Sequence, residues 1–233
     1  NLQDHLQLRM IFKVHGIKTL NQSANSLWGK AMMALEYALF RSGPLSMAPS
    51  QLGGFFRSAP EVATPDLEFH VQPLSLDKFG DPLHRFPAFT ASVCNLRPSS
   101  RGTVRIRDRD PGSAPLIAPN YLSTENDRQV AARALRLTRQ VVAQPAMAAY
   151  QPEEFLPGVQ FQNDAELAQA AGNIGTTIFH PTCTCAMGRA GDAQAVVDPE
   201  LRVRGIGRLR VVDASVMPTI TSGNTNTPTI MIA

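Results

Sequence analysis

Leu67-Glu68-Phe69-His70-Val71 alternates apolar and polar side chains, which is the period of a strand that buries one face. Ala88 to Leu96 repeats the pattern, with Phe89, Ala91 and Val93 on one face. Thr103-Val104-Arg105-Ile106-Arg107 is a third such run, entered through an Arg101-Gly102 turn. Three alternating runs separated by turn residues predict an antiparallel sheet with one solvated face. On the N-terminal side, Leu27, Ala31, Leu35 and Leu39 recur at every fourth residue, with Trp28 and Met32 beside them. That stripe predicts a helix over 26–40, stopped by Ser42-Gly43-Pro44. Residues 43–66 are punctuated by proline and glycine and read as loop. On the C-terminal side, Asp110-Pro111-Gly112 and Ala118-Pro119-Asn120 bracket a further loop. Thr124 and Asp127 have capping-box spacing ahead of an apolar stripe of Val130, Ala134, Leu137 and Val141, predicting a helix over 125–144 that Pro145 ends. A shorter helix is expected over 164–171, ended by Gly172, and a short strand at Leu209-Arg210-Val211-Val212. Asn224-Thr225-Asn226-Thr227-Pro228 reads as a capped helix start.

The chain has 233 residues, 43% of them hydrophobic and 18% charged. A packed core is therefore possible and wholesale disorder is excluded. The net charge of +3 is too small to argue for nucleic acid. Arg101, Arg105, Arg107 and Arg109 alternate with Asp108 and Asp110 and with no aromatic residue, so they read as a hairpin's solvated face, not as a phosphate track. Three cysteines make no disulfide framework and fit a reducing compartment. No apolar run approaches the ~18 residues of a membrane span. The polar opening Asn1-Leu2-Gln3-Asp4-His5 lacks the pattern of a secretory leader, and with no initiator Met the chain is expected to be a piece of a longer protein.

The densest polar cluster is Phe179-His180-Pro181-Thr182-Cys183-Thr184-Cys185-Ala186-Met187-Gly188. A residue before proline is held out of the α region, so the ring of His180 is placed by an extended segment. That suits a general base, and equally a loop histidine satisfied by a nearby carbonyl. Cys183 and Cys185 with one histidine fall short of the four ligands a structural zinc needs, so no metal ligand is assigned. Val211-Val212-Asp213 puts a carboxylate at a strand end, where it could accept from ligand hydroxyls or cap a turn. Ser222-Gly223-Asn224-Thr225-Asn226 supplies small polar groups before a helix start, a place to stabilise negative charge.

Several stretches, in order, resemble the glucose–methanol–choline (GMC) family of FAD-dependent alcohol oxidoreductases, choline dehydrogenase-like members above all. They are Asn1-Leu2-Gln3-Asp4-His5-Leu6, Asn95-Leu96-Arg97-Pro98-Ser99-Ser100-Arg101-Gly102, Pro119-Asn120-Tyr121-Leu122, His180 to Gly188, and Leu209 to Ala233. The resemblance covers the whole chain but only the second half of a family member, without the family's G-x-G-x-x-G unit. It implies a mixed α+β and α/β fold: an antiparallel substrate-domain sheet flanked by helices, plus the C-terminal return into a Rossmann-like FAD-binding domain. Residues 1–19 would be a remnant of the FAD domain, 20–160 the substrate domain, and 161–233 the catalytic loop and C-terminal FAD segment. It further implies His180 as general base, Asn224 as hydrogen-bond donor to the developing alkoxide, and Asp213, Ala214, Asn226 and Thr227 as FAD contacts. The implied reaction takes a primary alcohol, choline or similar, to an aldehyde by hydride transfer to flavin N5, with a quinone-type carrier or oxygen as electron acceptor. The implied location is cytoplasmic, free or at the periphery of the inner membrane. Alone, the chain is expected to bind FAD poorly and to lack turnover; the alternative is an inactive fragment acting only through association. One departure is visible. Relatives often read H-P-x-G-T, and Cys183 stands where they have glycine, so a left-handed backbone there would be strained and Cys183 reads as a tolerated packing variant.

Overall fold

The computed structural model describes residues 1–48 and 50–233. Its elements, in order, are β1 (Leu6–Lys13), α1 (Leu20–Asn25), α2 (Leu27–Phe40), β2 (Leu52–Phe56), β3 (Leu67–Gln72), β4 (Ala88–Asn95), β5 (Thr103–Arg105) and β6 (Leu116–Ala118). There follow α3 (Glu125–Val142), β7 (Glu153–Leu156), α4 (Asp164–Ile174), β8 (Gly175–Thr177) and α5 (Asn226–Ile232). Contacts divide the chain into two units, each discontinuous in sequence. One comprises Leu8–Cys94 and Ala131–Gly175; the other comprises Asn1–Gln7, Asn95–Val130 and Thr176–Ala233. Among the described residues, no helix is long and apolar enough to cross a membrane.

The first unit is built on a sheet with the order β2-β3-β4-β1-β7. The expected strands at 67–71 and 88–96 are β3 and β4. β2, inside the stretch read as loop, pairs antiparallel with β3 from Leu52↔Val71 to Phe56↔Leu67. Gly53 and Gly54 hid it, because glycine weakens the strand signal. The solvated face is a correction. Alternation is present, but Arg9, Glu68, Gln72, Thr90 and Ser92 are all buried. A period of two reports which side chains share a face; it does not report what covers that face.

The helices of this unit follow their caps. Asn163 accepts from the Glu166 N–H (2.9 Å) and the Glu166 carboxylate accepts from the Asn163 N–H (3.4 Å), a reciprocal box that starts α4. α4 continues through Gly172 to Ile174. An interior glycine costs only about 1 kcal/mol against alanine, and Leu167, Ala170 and Ala171 are buried along its inner side. Of the expected stripe on α3, Val130 and Ala134 are buried while Val141 is exposed; Ala131, Leu135, Thr138 and Val142 are buried beside them, so the inner stripe drifts by about one residue toward the C-terminal end. α2 forms where expected, but none of its residues is buried, and Leu27, Trp28, Leu35, Leu39 and Phe40 are exposed.

Between α3 and β7 sits a forked ion pair. Arg139 donates through Nε and an η nitrogen to the two oxygens of Glu154 (2.8 and 2.9 Å). It also donates to the carbonyls of Phe161 (2.9 Å) and Gly158 (3.2 Å). The Glu154 side chain is 5% exposed and that of Arg139 20%. A charge pair this sheltered is costly to break from one side.

In the second unit, β5 and β6 form their own antiparallel ribbon, Thr103↔Ala118 to Arg105↔Leu116. The expected third strand is thus real but belongs to a separate two-stranded sheet. The expected strand at 209–212 is reduced to a bridge between Arg202 and Arg210 and a Val211 N–H bond to the Leu201 carbonyl (3.1 Å). Replacing Glu154 with Gln should strand the Arg139 charge and lower stability by about 3 kcal/mol, read as a Tm loss of about 6–12 °C by calorimetry. An unchanged Tm would show that the pair does not hold α3 to β7.

Candidate functional site

The polar opening of the chain lies at the centre of the second unit. Leu2 exchanges backbone hydrogen bonds with Gly102 (3.0 and 2.8 Å), and Gln3 does so with Thr182 (3.2 and 2.8 Å). The Gln3 side chain then joins three more segments. Its amide nitrogen donates to the Pro98 carbonyl (2.9 Å). Its Oε1 accepts from the Ile220 N–H (3.1 Å) and from the Cys183 thiol (3.4 Å). Asp4 accepts from the Thr177 hydroxyl (2.6 Å) and the His180 backbone N–H (2.9 Å), and also from the Tyr121 hydroxyl. Burial, with the Asp4 carboxylate beside it, pushes the Tyr121 phenol far up, so it stays a donor.

His5 completes the arrangement. Its Nε2 lies 3.1 Å from the Leu96 carbonyl, which can only accept, so Nε2 carries the proton. In the neutral ring Nδ1 then bears the lone pair. That Nδ1 is 3.0 Å from Nδ1 of His180, so His180 must donate there. The neutral His180 ring is thereby held as the tautomer whose Nε2 carries the lone pair, an assignment made from the partners. The two rings meet edge to face with centroids 5.3 Å apart. His5 is fully buried and His180 half-buried.

The other residues singled out from the sequence are placed as follows. Asp213 is exposed and caps the turn Ala214–Val216 by accepting from the Ser215 N–H (2.8 Å). The loop after His180 runs beside that turn: the N–H groups of Cys185 and Met187 donate to the carbonyls of Ser215 (2.9 Å) and Val216 (2.8 Å). Ala214 is half-buried, while Asn224, Asn226 and Thr227 are exposed. α5 begins at Asn226 and has seven residues. Gln3 therefore ties both the His180–Cys185 loop and the segment leading to Asn224. Cys183 is 1% exposed with φ of 72°, so a side chain does occupy a left-handed position. Its sulfur is held by Gln3 and by the Thr182 hydroxyl (3.1 Å), and burial pushes the thiol up.

His5, Gln3, Asp4, Tyr121 and Asp127 were not picked out as site residues from the sequence. Asp127 organises the Asn95–Gly102 stretch, accepting from the N–H groups of Ser99 (2.9 Å) and Ser100 (2.8 Å) and from the Ser99 hydroxyl (3.0 Å). The readable signal was the run Gln3-Asp4-His5 immediately before the apolar start of β1. Three polar groups entering a buried strand need partners.

The family model described as GMC oxidoreductase matches residues 98–233, and the chain belongs to that family. It is 40% identical over 233 residues to the mitochondrial choline dehydrogenase of Homo sapiens, covering 100% of this chain and 39% of that protein. It is also 40% identical over 234 residues to the oxygen-dependent choline dehydrogenase of Vibrio vulnificus, covering 41% of it. The chain spans about two fifths of the length of these curated relatives, in their C-terminal part. Among solved structures, a pyridoxine 4-oxidase from Mesorbium loti superposes with a TM-score of 0.80 at 27% identity, covering 100% of this chain and 41% of that one. A formate oxidase shares the fold with a TM-score of 0.88 at 24% identity, covering 100% and 45%.

The Asp127 carboxyl would be raised by burial, but donation from Ser100 and Ser99 outweighs this and holds it below the usual carboxylate range. A lowered folded value stabilises above the ordinary Asp pKa and loses that contribution as pH falls through the folded value. Asp127→Asn should therefore cost about 1–3 kcal/mol at pH 7. Denaturant melts at decreasing pH should show wild type and variant converging in acid. A gap that stays constant into acid would refute the carboxylate's role.

Proposed function

We propose that this chain carries the proton-handling side of an FAD-dependent dehydrogenase that oxidises a primary alcohol, choline or a similar one, to an aldehyde. The observation that carries the reading is the His5–His180 hydrogen bond, which holds Nε2 of His180 in the form that accepts a proton. His180 takes the alcohol proton as general base. The carboxamide of Asn224 donates to the oxygen as negative charge develops on it. His5 positions the His180 ring and sets its tautomer without itself touching substrate.

Two features support assigning these residues to the ring end of FAD. Asp213, Ala214, Asn226 and Thr227 lie in segments that also expose Val212, Ile230 and Met231. Thr221 has a buried hydroxyl with no partner at the start of the second segment. A diphosphate cradle is not among these residues, since no G-x-G-x-x-G is present. FAD, when bound, supplies the acceptor for the hydride that leaves the alcohol carbon. The relatives named as oxygen-dependent support oxygen as the final acceptor, with a quinone-type carrier as the other candidate. Three free thiols support a reducing compartment, the cytoplasm or the inner face of the inner membrane.

The test uses a chimaera in which the N-terminal part of the Vibrio vulnificus relative precedes Asn1. Under anaerobic conditions choline or another primary alcohol should bleach its flavin. His180→Gln should slow bleaching by about 10²–10⁴-fold. His5→Phe should move the pH profile of that rate while alcohol affinity stays near wild type. Unchanged rates in His180→Gln would remove the general base from this reading.

A second reading, an inactive fragment acting only through association, is favoured by one feature. α2 exposes Leu27 (86%), Trp28 (74%) and Phe40 (72%), and such apolar surface favours contact with another surface. Under this reading, light scattering of the chain should give a mass above 25.3 kDa that returns to one chain in Trp28→Glu/Phe40→Glu. A monomer at all concentrations would remove it.

A further inference from the structure

Glu68 and His70 stand two residues apart on β3 and therefore share one face of the sheet. Cys94 approaches from β4, the next strand, where its thiol donates to the Glu68 backbone carbonyl at 3.7 Å. One carboxylate oxygen, one imidazole nitrogen and the thiol sulfur lie within 4.8 Å of one another. Glu68 is 4% exposed and Cys94 0%. Two atoms of this cluster lack partners. Oε2 of Glu68 and Nε2 of His70 are buried with no hydrogen bond. Their own approach, Nε2 to Oε1 at 3.6 Å, is too long to serve as one. Arg9 is buried too, on β1, and does not answer the carboxylate. All three of its nitrogens lack an acceptor, and its guanidinium lies over the Phe79 ring instead, 4.4 Å from the centroid.

We propose that Glu68, His70 and Cys94 bind one zinc-class divalent transition-metal ion. This cluster takes no part in the alcohol chemistry proposed above. The donor set decides the class of ion. Sulfur, imidazole nitrogen and a single carboxylate oxygen suit Zn²⁺ or Co²⁺, whereas Mg²⁺ and Ca²⁺ require oxygen cages. Charge also closes: carboxylate, thiolate and neutral imidazole around a divalent cation sum to zero, which is the form that tolerates burial. Tetrahedral bonds of about 2.0–2.3 Å would bring the ligand atoms to separations of ~3.3–3.8 Å. Rotation of three side chains closes the remaining ~1 Å. A set of three protein ligands leaves the fourth position for water. The buried, unpartnered carboxylate oxygen is the feature that a metal explains and an inert packing cluster does not.

The test starts from the reduced, chelator-stripped chain titrated with Co²⁺. One equivalent should develop a near-ultraviolet thiolate-to-cobalt band with visible bands of tetrahedral strength, and Zn²⁺ should abolish them. Cys94→Ser should lose the near-ultraviolet band, while Cys183→Ser/Cys185→Ser should keep it. Glu68→Gln should weaken Co²⁺ binding at least about tenfold. A thermal melt guards against variants that fail to fold: Zn²⁺ should raise the Tm of wild type and not that of Glu68→Gln. A wild-type chain with native circular dichroism and no thiolate band at one equivalent overturns the proposal. So does a band that survives Cys94→Ser, or a Zn²⁺ shift of Tm that Glu68→Gln retains in full.

Discussion

The Asp4 carboxylate accepts from Tyr121, Thr177 and the His180 backbone N–H. Each of the other residues from Leu2 to His5 makes its own bond to a distant segment. A buried carboxylate with three donors is stable only while both segments that supply them, the one with Tyr121 and the one from Thr177 to His180, are in place. The segments that carry His180, Tyr121 and Gly102 are therefore held to one four-residue strip near the N-terminus. Gln3 extends that strip to the loop leading to Asn224, through its bond to Ile220. The position of the His180 ring is thus specified by backbone and side-chain polar groups whose only alternative partner is water.

The sheet of the other unit poses the opposite problem. It buries polar groups on a face where several of them have no protein partner. Native interiors rarely leave such atoms unanswered. Hydrophobic packing on the other side, with Leu67, Phe69, Ala91 and Val93 buried, holds the strands together despite that cost. A fold can carry unsatisfied groups where a well-packed face supplies the stability, and such places are where ligands are expected.

The recognisable strands and helices were those with uninterrupted periodicity. β3, β4, α2, α3 and α4 are written in local alternation or in three-and-four spacing, with Thr124 marking the start of α3. β1 was not recognised, although it is the strand beside β4 and β7. Leu6-Gln7-Leu8-Arg9-Met10-Ile11-Phe12-Lys13 mixes buried polar and apolar residues, so its pattern does not separate inside from outside. β2 was lost to two glycines, and only its ladder with β3 makes it a strand. The exposure of the apolar stripe on α2 was equally unreadable, because amphipathic spacing says which residues share a side and nothing about what covers them.

His180 stood out because proline follows it and polar residues crowd it, features contained within ten residues. Its tautomer depends on His5, 175 positions away, and on a carbonyl at Leu96, and no local pattern encodes that meeting. The same holds for Glu68, His70 and Cys94, whose spacing matches no ligand motif and whose proximity comes from strand pairing. Residue order thus settled the family, the regular elements and the residue types available for chemistry, because these are short-range properties of the chain. Folding settled which of those residues touch, which proton sits on which nitrogen and which charges lack partners, because those depend on contacts between segments far apart in the chain.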